Sequence, residues 1–326
     1  MRDGGRVLLV TLANIGDAVL TTPVLEVVHR RFPEARVDLV ADPRSAEIFA
    51  RCPYLGETFL HREGGGWGAG LALVRRLRRR RYALAVDLRT GLLAWLARAR
   101  ERRTRRGACP LGPHAAEAYL GVVADLLDGP PPPARIWLSA HDRRLAAALL
   151  RGLPEGPLLA LAPGANWPPK IWPAERFAEL ARALAPRLAA VVLVGGPADR
   201  ARTAAVAAAL GGALPVADLA GRTGLLTAAA VLERCALFVG NDSGLGHMAA
   251  AVGTPAVTVF GPGDPERYRP WGPAAEVVVA PGRDLARLAA APVAEAAARA
   301  LAAASSVPPG AAGAPSTTRF RAGNRP

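Results

Sequence analysis

The sequence predicts an α/β protein of two halves, each a parallel sheet covered by helices. Three observations predict it. Short apolar runs alternate with stretches of helical length. Those runs are almost continuously apolar instead of alternating, as strands buried on both faces are. A proline tract, Gly129-Pro130-Pro131-Pro132-Pro133, then divides the chain near its middle.

The first half has strand candidates at 7–12, 36–41, 57–60 and 83–88, and the second half at 158–162, 191–195, 237–240 and 256–260. Consecutive prolines fit neither a helix nor a central strand, so the tract reads as a stiff extended connector. A helix over 141–151 follows, and then a second breaker cluster, Leu153-Pro154-Glu155-Gly156-Pro157. The expected organisation is a first domain at 1–150, a second at 151–283, a last helix at 284–303 interrupted near Pro292, and a tail at 304–326. In that tail Ser, Pro, Gly and Thr replace the apolar periodicity, which predicts disorder.

At 326 residues either half can bury a core, and the 51% hydrophobic content excludes a disordered protein. No apolar stretch approaches the roughly twenty residues that span a bilayer. The start of the chain lacks the pattern of a secretory leader. A cytoplasmic protein is therefore expected. The 3 cysteines lie far apart without metal-ligand spacing and read as small buried hydrophobes. The net charge of +14 admits two readings, an arginine bias on solvated helix faces or an anionic partner. Its clusters, Arg75-Arg76, 78–81 and 98–106, all fall in the first half. With only 5% aromatic residues there is no stacking platform between them, which argues against nucleic acid.

Chemistry concentrates at the ends of predicted strands. After 237–240 comes Asn241-Asp242-Ser243-Gly244-Leu245-Gly246-His247, then a helix. Ligands of open α/β sheets sit at such ends, where a helix N-terminus offers free N–H groups. Gly244 and Gly246 permit close approach of an anion, and Ser243 and His247 can add hydrogen bonds. A plain turn capped by Asp242 or Ser243 is the alternative. After 158–162 comes a Pro/Gly/Trp loop with Asn166 and Lys170, the only lysine in the chain, then a helix with Pro173 in its first turn. A compact ammonium retained among so many arginines suits neutralisation of a diphosphate. After the first strand, Asn14-Ile15-Gly16-Asp17 opens a helix. Asp17 is either a first-turn acid balancing the helix dipole or a general base at a cleft.

Taken in order, three segments resemble the heptosyltransferases of glycosyltransferase family 9. They are Asn14-Ile15-Gly16-Asp17 with Thr21-Thr22-Pro23, Pro163-Gly164-Ala165 with Lys170-Ile171-Trp172-Pro173, and Gly240 to His247 with Phe260-Gly261-Pro262-Gly263-Asp264-Pro265. Val86-Asp87-Leu88-Arg89, Val194-Gly195-Gly196 and Asp218-Leu219-Ala220-Gly221-Arg222-Thr223 extend the resemblance over residues 6–303. It implies a GT-B fold, two Rossmann-like domains facing across a cleft, the first binding acceptor and the second the nucleotide sugar. It implies inverting transfer of L-glycero-D-manno-heptose from an ADP-sugar to the inner core of lipopolysaccharide, with no metal and no cofactor beyond that donor. Under it, Asp17 matches the general base and Lys170 the lysine on the donor phosphates, with Asn166 a helper. Asp242 matches the acid near the sugar hydroxyls, residues 243 to 247 the cradle, and Asp199 a contact to the ribose. Arg62, Arg89, Arg105 and Arg106 become candidates for the anionic groups of a glycolipid acceptor at the inner membrane surface. A monomer is expected.

Other readings are a glycosyltransferase of this fold with another nucleotide sugar or acceptor, and a non-catalytic nucleotide-sugar-binding protein. A dinucleotide-binding dehydrogenase would need Gly-x-Gly-x-x-Gly after the first strand, and Ala13-Asn14-Ile15-Gly16-Asp17-Ala18 does not supply it.

Overall fold

In the computed structural model, residues 5–62 and 64–305 are described. Chain order in the first half is β1 (Arg6–Val10), α1 (Ile15–Arg31), β2 (Arg36–Ala41), β3 (Leu55–Leu60), α2 (Gly66–Leu77), β4 (Tyr82–Asp87), α3 (Leu92–Leu96), β5 (Ala99–Thr104) and α4 (Ala115–Leu120). Beyond the proline tract come α5 (Ala140–Leu149), β6 (Leu158–Ala162), α6 (Ala174–Leu184), β7 (Ala190–Leu193), α7 (Arg200–Leu210), β8 (Val216–Asp218) and α8 (Leu225–Glu233). The second half closes with β9 (Leu237–Asn241), α9 (Gly244–Ala251), β10 (Ala256–Phe260), α10 (Pro265–Tyr268), β11 (Ala275–Val279) and α11 (Ala290–Ser305).

Two sheets result, ordered β3-β2-β1-β4-β5 and β11-β10-β9-β6-β7-β8, with every pairing parallel. The expected pair of parallel α/β sheets is therefore present. Strands β5, β8 and β11 do not figure among the sequence candidates, and all three are sheet edges. An edge strand has one free side, so its residues need not be apolar. In β5, Ala-Arg-Glu-Arg-Arg-Thr, only Ala99 is buried, which is why its arginines read as a charge cluster.

Pro292 does not interrupt the last helix. Helix α11 starts at Ala290, so Pro292 sits in the first turn, where its missing N–H has no helical acceptor to lose. A short turn, Leu285–Arg287, precedes it where the start of the helix was expected. The expected disordered tail lies, beyond Ser305, outside the described residues.

In α1, Pro23 lies mid-helix and leaves the carbonyl of Val19 without its usual donor. The hydroxyl of Thr22 donates to that oxygen at 2.7 Å, so the proline is tolerated without an orphaned acceptor. Thr22 also accepts from the backbone N–H of Arg135 at 2.9 Å, fastening the chain after the proline tract to α1. The far side of that segment is held by the second half. Trp271 Nε1 donates to Pro132 O at 3.0 Å, and Ile136 N–H to Ala251 O at 3.3 Å. Helix α5 packs on α8, and Arg143 forks onto Glu233 at 2.7 and 2.8 Å.

The two halves share an apolar core. One buried cluster runs from Val7 and Leu9 through α1 and α4 to Ala160, α8 and Met248 of α9. Helices α1 and α9 pack directly against each other, and each begins just past the carboxyl end of a central strand. This contact brings the ends of β1 and β9 together.

Candidate active site

Strand β9 is fully buried through Asn241, and the chain then turns into α9. Asn241 is a hub. Its Oδ1 accepts from Trp172 N–H at 3.0 Å, and its Nδ2 donates to Pro163 O at 2.9 Å. The amide thereby clamps both ends of the loop that carries Lys170. Trp172 anchors the far end, fully buried, with Nε1 donating to Leu288 O at 2.9 Å and its ring edge-on to Phe177 at 4.8 Å. Asn241→Ala is expected to destabilise the protein by about 2–3 kcal/mol, because buried peptide groups lose their partners at roughly 1–3 kcal/mol each. Denaturant unfolding checks this, and a loss below about 1 kcal/mol would show that the loop does not depend on the clamp.

The turn itself decides between the two readings of Asp242 and Ser243. Ser243 occupies the N-cap position of α9, but no side chain caps the helix. Asp242 points elsewhere, making an ion pair with Lys170 at 2.5 Å. Gly263 lies against the Asp242 carboxylate, where a side chain would collide with it. The Ser243 hydroxyl is buried without a partner among the described residues. Uncapped N–H groups, a hydroxyl and an ammonium thus converge at one helix start, an arrangement suited to an anion.

Burial holds the Asp242 carboxyl above the ordinary carboxylate range. Lys170 opposes that shift, and the negative charge of Asp17 adds to it. The acids of the two halves therefore sense each other across the α1–α9 contact. Asp17 accepts from Asn14 Nδ2 at 3.2 Å and from the Tyr119 hydroxyl at 3.4 Å. Burial and that carboxylate push the Tyr119 phenol up, so it stays a proton donor toward Asp17. Arg105 lies over the Tyr119 ring at 5.6 Å.

His247 is buried, and burial lowers its pKa to about 3. The ring is neutral at physiological pH and adds no positive charge. Its Cδ2 lies 2.7 Å from where a Cβ on Gly16 would stand, so glycine is required for α1 and α9 to meet. Gly244 faces Ile15 in the same contact, and Gly246 packs on Thr258. Leu245 is half-buried beside the shared core.

The remaining predicted residues divide. Asp199 accepts from Gly196 N–H at 2.9 Å, pairs with Arg202 at 3.4 Å and lies over Gly164 at the start of the lysine loop. Asn166 is exposed in that loop. Arg89 leaves the end of β4 with Nε and Nη1 buried and without partners among the described residues. Arg62 and Arg106 are exposed. Sequence reasoning missed Tyr119, which sits on the inner face of α4 with no local motif. It also missed Arg267 and Tyr268, which are joined by a 3.0 Å hydrogen bond and whose electrostatic influence reaches Tyr119 from the second half. Their signal was the Gly261-Pro262-Gly263-Asp264-Pro265 turn just before them, where Asp264 caps α10.

Residues 71–291 match glycosyltransferase family 9 (heptosyltransferase). The chain belongs to that family. As a family 9 glycosyltransferase it is 33% identical over 296 residues to lipopolysaccharide heptosyltransferase 1 of Pseudomonas aeruginosa, covering 80% of this chain and 79% of that one. It is 28% identical over 306 residues to lipopolysaccharide heptosyltransferase 2 of Salmonella typhimurium, covering 84% and 87%. The solved structure of E. coli ADP-heptose lps heptosyltransferase II superposes with a TM-score of 0.78 at 25% identity, over 92% of this chain and all of that one. The fold of this enzyme is thus GT-B, as the resemblance implied. The family match includes Arg89, Lys170 and Asp242, while Asp17 lies before it. Among the described residues of the glycosyltransferase, no three His, Cys, Asp or Glu side chains gather as a metal site, and no helix is long and apolar enough to cross a membrane.

Proposed function

We propose that this enzyme moves a heptose from ADP-L-glycero-D-manno-heptose to an inner-core lipopolysaccharide acceptor, with inversion and without a metal ion. The observation that carries the reading is the opposition of Asp17 to the Lys170–Asp242 pair across the α1–α9 contact. Asp17, oriented by Tyr119 and Asn14, takes the proton of the acceptor hydroxyl. The acceptor oxygen forms a bond to the anomeric carbon as the bond from that carbon to the diphosphate breaks, and ADP leaves with the electron pair. Lys170 and the free N–H groups of Gly244 and Leu245 stabilise the charge that develops on the diphosphate. Asp242, held by Lys170, accepts from hydroxyls of the sugar. Asn166 and Asp199 edge the nucleotide side, and Arg89 and Arg105 meet anionic groups of the acceptor at the inner face of the cytoplasmic membrane.

The names of the relatives support heptose and lipopolysaccharide as donor sugar and acceptor. The test is release of ADP from ADP-heptose in the presence of a Kdo–lipid A acceptor. Acceptor-dependent ADP release is expected. Turnover of a different nucleotide sugar in its place, or ADP release indifferent to acceptor, would overturn the assignment.

A further inference from the structure

The first half exposes large apolar side chains that its own fold does not use. Helices α2 and α3 close over the same face of the first sheet, where Leu73, Leu77, Leu93 and Ala94 pack with Leu8, Val10, Val40 and Phe59. Their opposite faces carry Trp67 (98% exposed) and Leu71 (52%) on α2, four residues apart, and Leu92 (60%) and Trp95 (66%) on α3, three apart. These spacings put each pair on one outward helix face. A tryptophan almost wholly in water gains nothing from folding, and two such rings beside two leucines mark a contact surface.

The charge around these side chains is predominantly positive. Residues 66–81 contain no acid and end in a run of arginines. Arg76 and Arg80 are paired with Glu57, and Arg80 also with Asp38. Arg75, Arg78, Arg79 and Arg81 are exposed and have no ion pair among the described residues. Arg102 lies over Trp95 at 5.3 Å, keeping a cation beside the second ring. Indole rings and leucines flanked by unpaired guanidinium groups complement an anionic lipid surface, the rings entering the headgroup region and the arginines meeting phosphates.

We propose that the outward faces of α2 and α3 dock on an anionic phospholipid bilayer, with Trp67 and Trp95 as the inserted anchors. The location supports this occupant. Helix α3 begins three residues after Arg89 at the end of β4, and α2 follows the end of β3, so the face adjoins the acceptor side of the site. A lipid-borne acceptor could then keep its lipid in the bilayer while its sugar reaches Asp17. This last step rests on the proposed acceptor, but the docking itself does not.

Flotation of the full chain with sugar-free vesicles tests the docking separately from turnover. Binding to phosphatidylcholine–phosphatidylglycerol vesicles is expected, weakened by salt, with little binding to phosphatidylcholine alone. The double variant Trp67→Ser/Trp95→Ser should bind the anionic vesicles about tenfold less. Because both positions are exposed, its thermal unfolding and its ADP release with a delipidated acceptor should be unchanged. Arg75→Gln/Arg79→Gln should lose the preference for anionic lipid. Equal vesicle binding by wild type and the tryptophan variant would overturn the proposal. So would a tryptophan-dependent dimer, or tryptophan-dependent capture of a protein, without vesicle binding. Loss of turnover with intact vesicle binding would instead count against the acceptor and leave the docking standing.

Discussion

Asp17→Asn is expected to lower kcat by about 10²- to 10⁴-fold, the range a positioned general base contributes. Donor affinity should stay within about twofold of wild type, because a base that acts on the acceptor hydroxyl binds no donor phosphate. The substitution keeps the shape of the side chain and leaves Asn14 and Tyr119 in place, so the fold should be undisturbed. Measuring kcat and KM for the nucleotide sugar, with calorimetric binding of the nucleotide diphosphate, separates the effects. If Asp17→Asn weakened nucleotide binding and spared kcat, Asp17 would belong to the donor side and the proposed division of labour would fail. Tyr119→Phe offers a milder check of the same arrangement. It removes the 3.4 Å hydrogen bond that steers the carboxylate, and so should lower kcat more than it alters KM.

Lys170→Ala should show its largest effect on both donor binding and stability. The ammonium is 27% exposed and its partner Asp242 only 8%, so removing it strands a carboxylate in a place that already disfavours its charge. Breaking a buried pair costs roughly 3–5 kcal/mol, and the partial exposure of Lys170 puts the loss at the low end of that range. The deficit should depend on pH. Burial raises the folded-state pKa of Asp242 above its ordinary 3.8, and Lys170 restrains that rise. A carboxyl with a raised folded-state pKa contributes its stability in full below 3.8 and loses it as pH climbs through the folded value. Without Lys170 that folded value rises further. The variant should therefore unfold almost like wild type in acid and fall behind progressively toward neutral pH. Lys170→Ala/Asp242→Asn should recover most of the stability at neutral pH, since no stranded charge remains, yet recover none of the donor affinity. Denaturant titrations across pH check this, and a pH-independent deficit would mean that Asp242 is not the group responsible.

The fold class was legible because strands buried on both faces must be apolar, and those at the sheet centres were found. Strand β5 escaped for the complementary reason. An edge needs no apolar pattern, and arginines can decorate it. Pro292 misled in another way, since a proline in a first turn and one that breaks a helix look alike until the helix start is known. At the site, Lys170 and Asp242 were recognisable by type and by their position after strands. Their pairing was not, because 72 residues separate them and either side chain could have faced solvent.

The sequence by itself determined the two α/β halves, the strand ends where chemistry gathers, and the family, because local pattern and motif order are properties of the chain. Tertiary structure alone decided that α1 and α9 meet through Gly16 and His247, that the charge of Asp17 is felt at Asp242, and that the Tyr119 hydroxyl donates to the Asp17 carboxylate. It also decided that burial holds the His247 ring toward its neutral form. Burial and long-range electrostatics settle each of these, and both depend on which surfaces the fold brings together, information that no local stretch of residues contains.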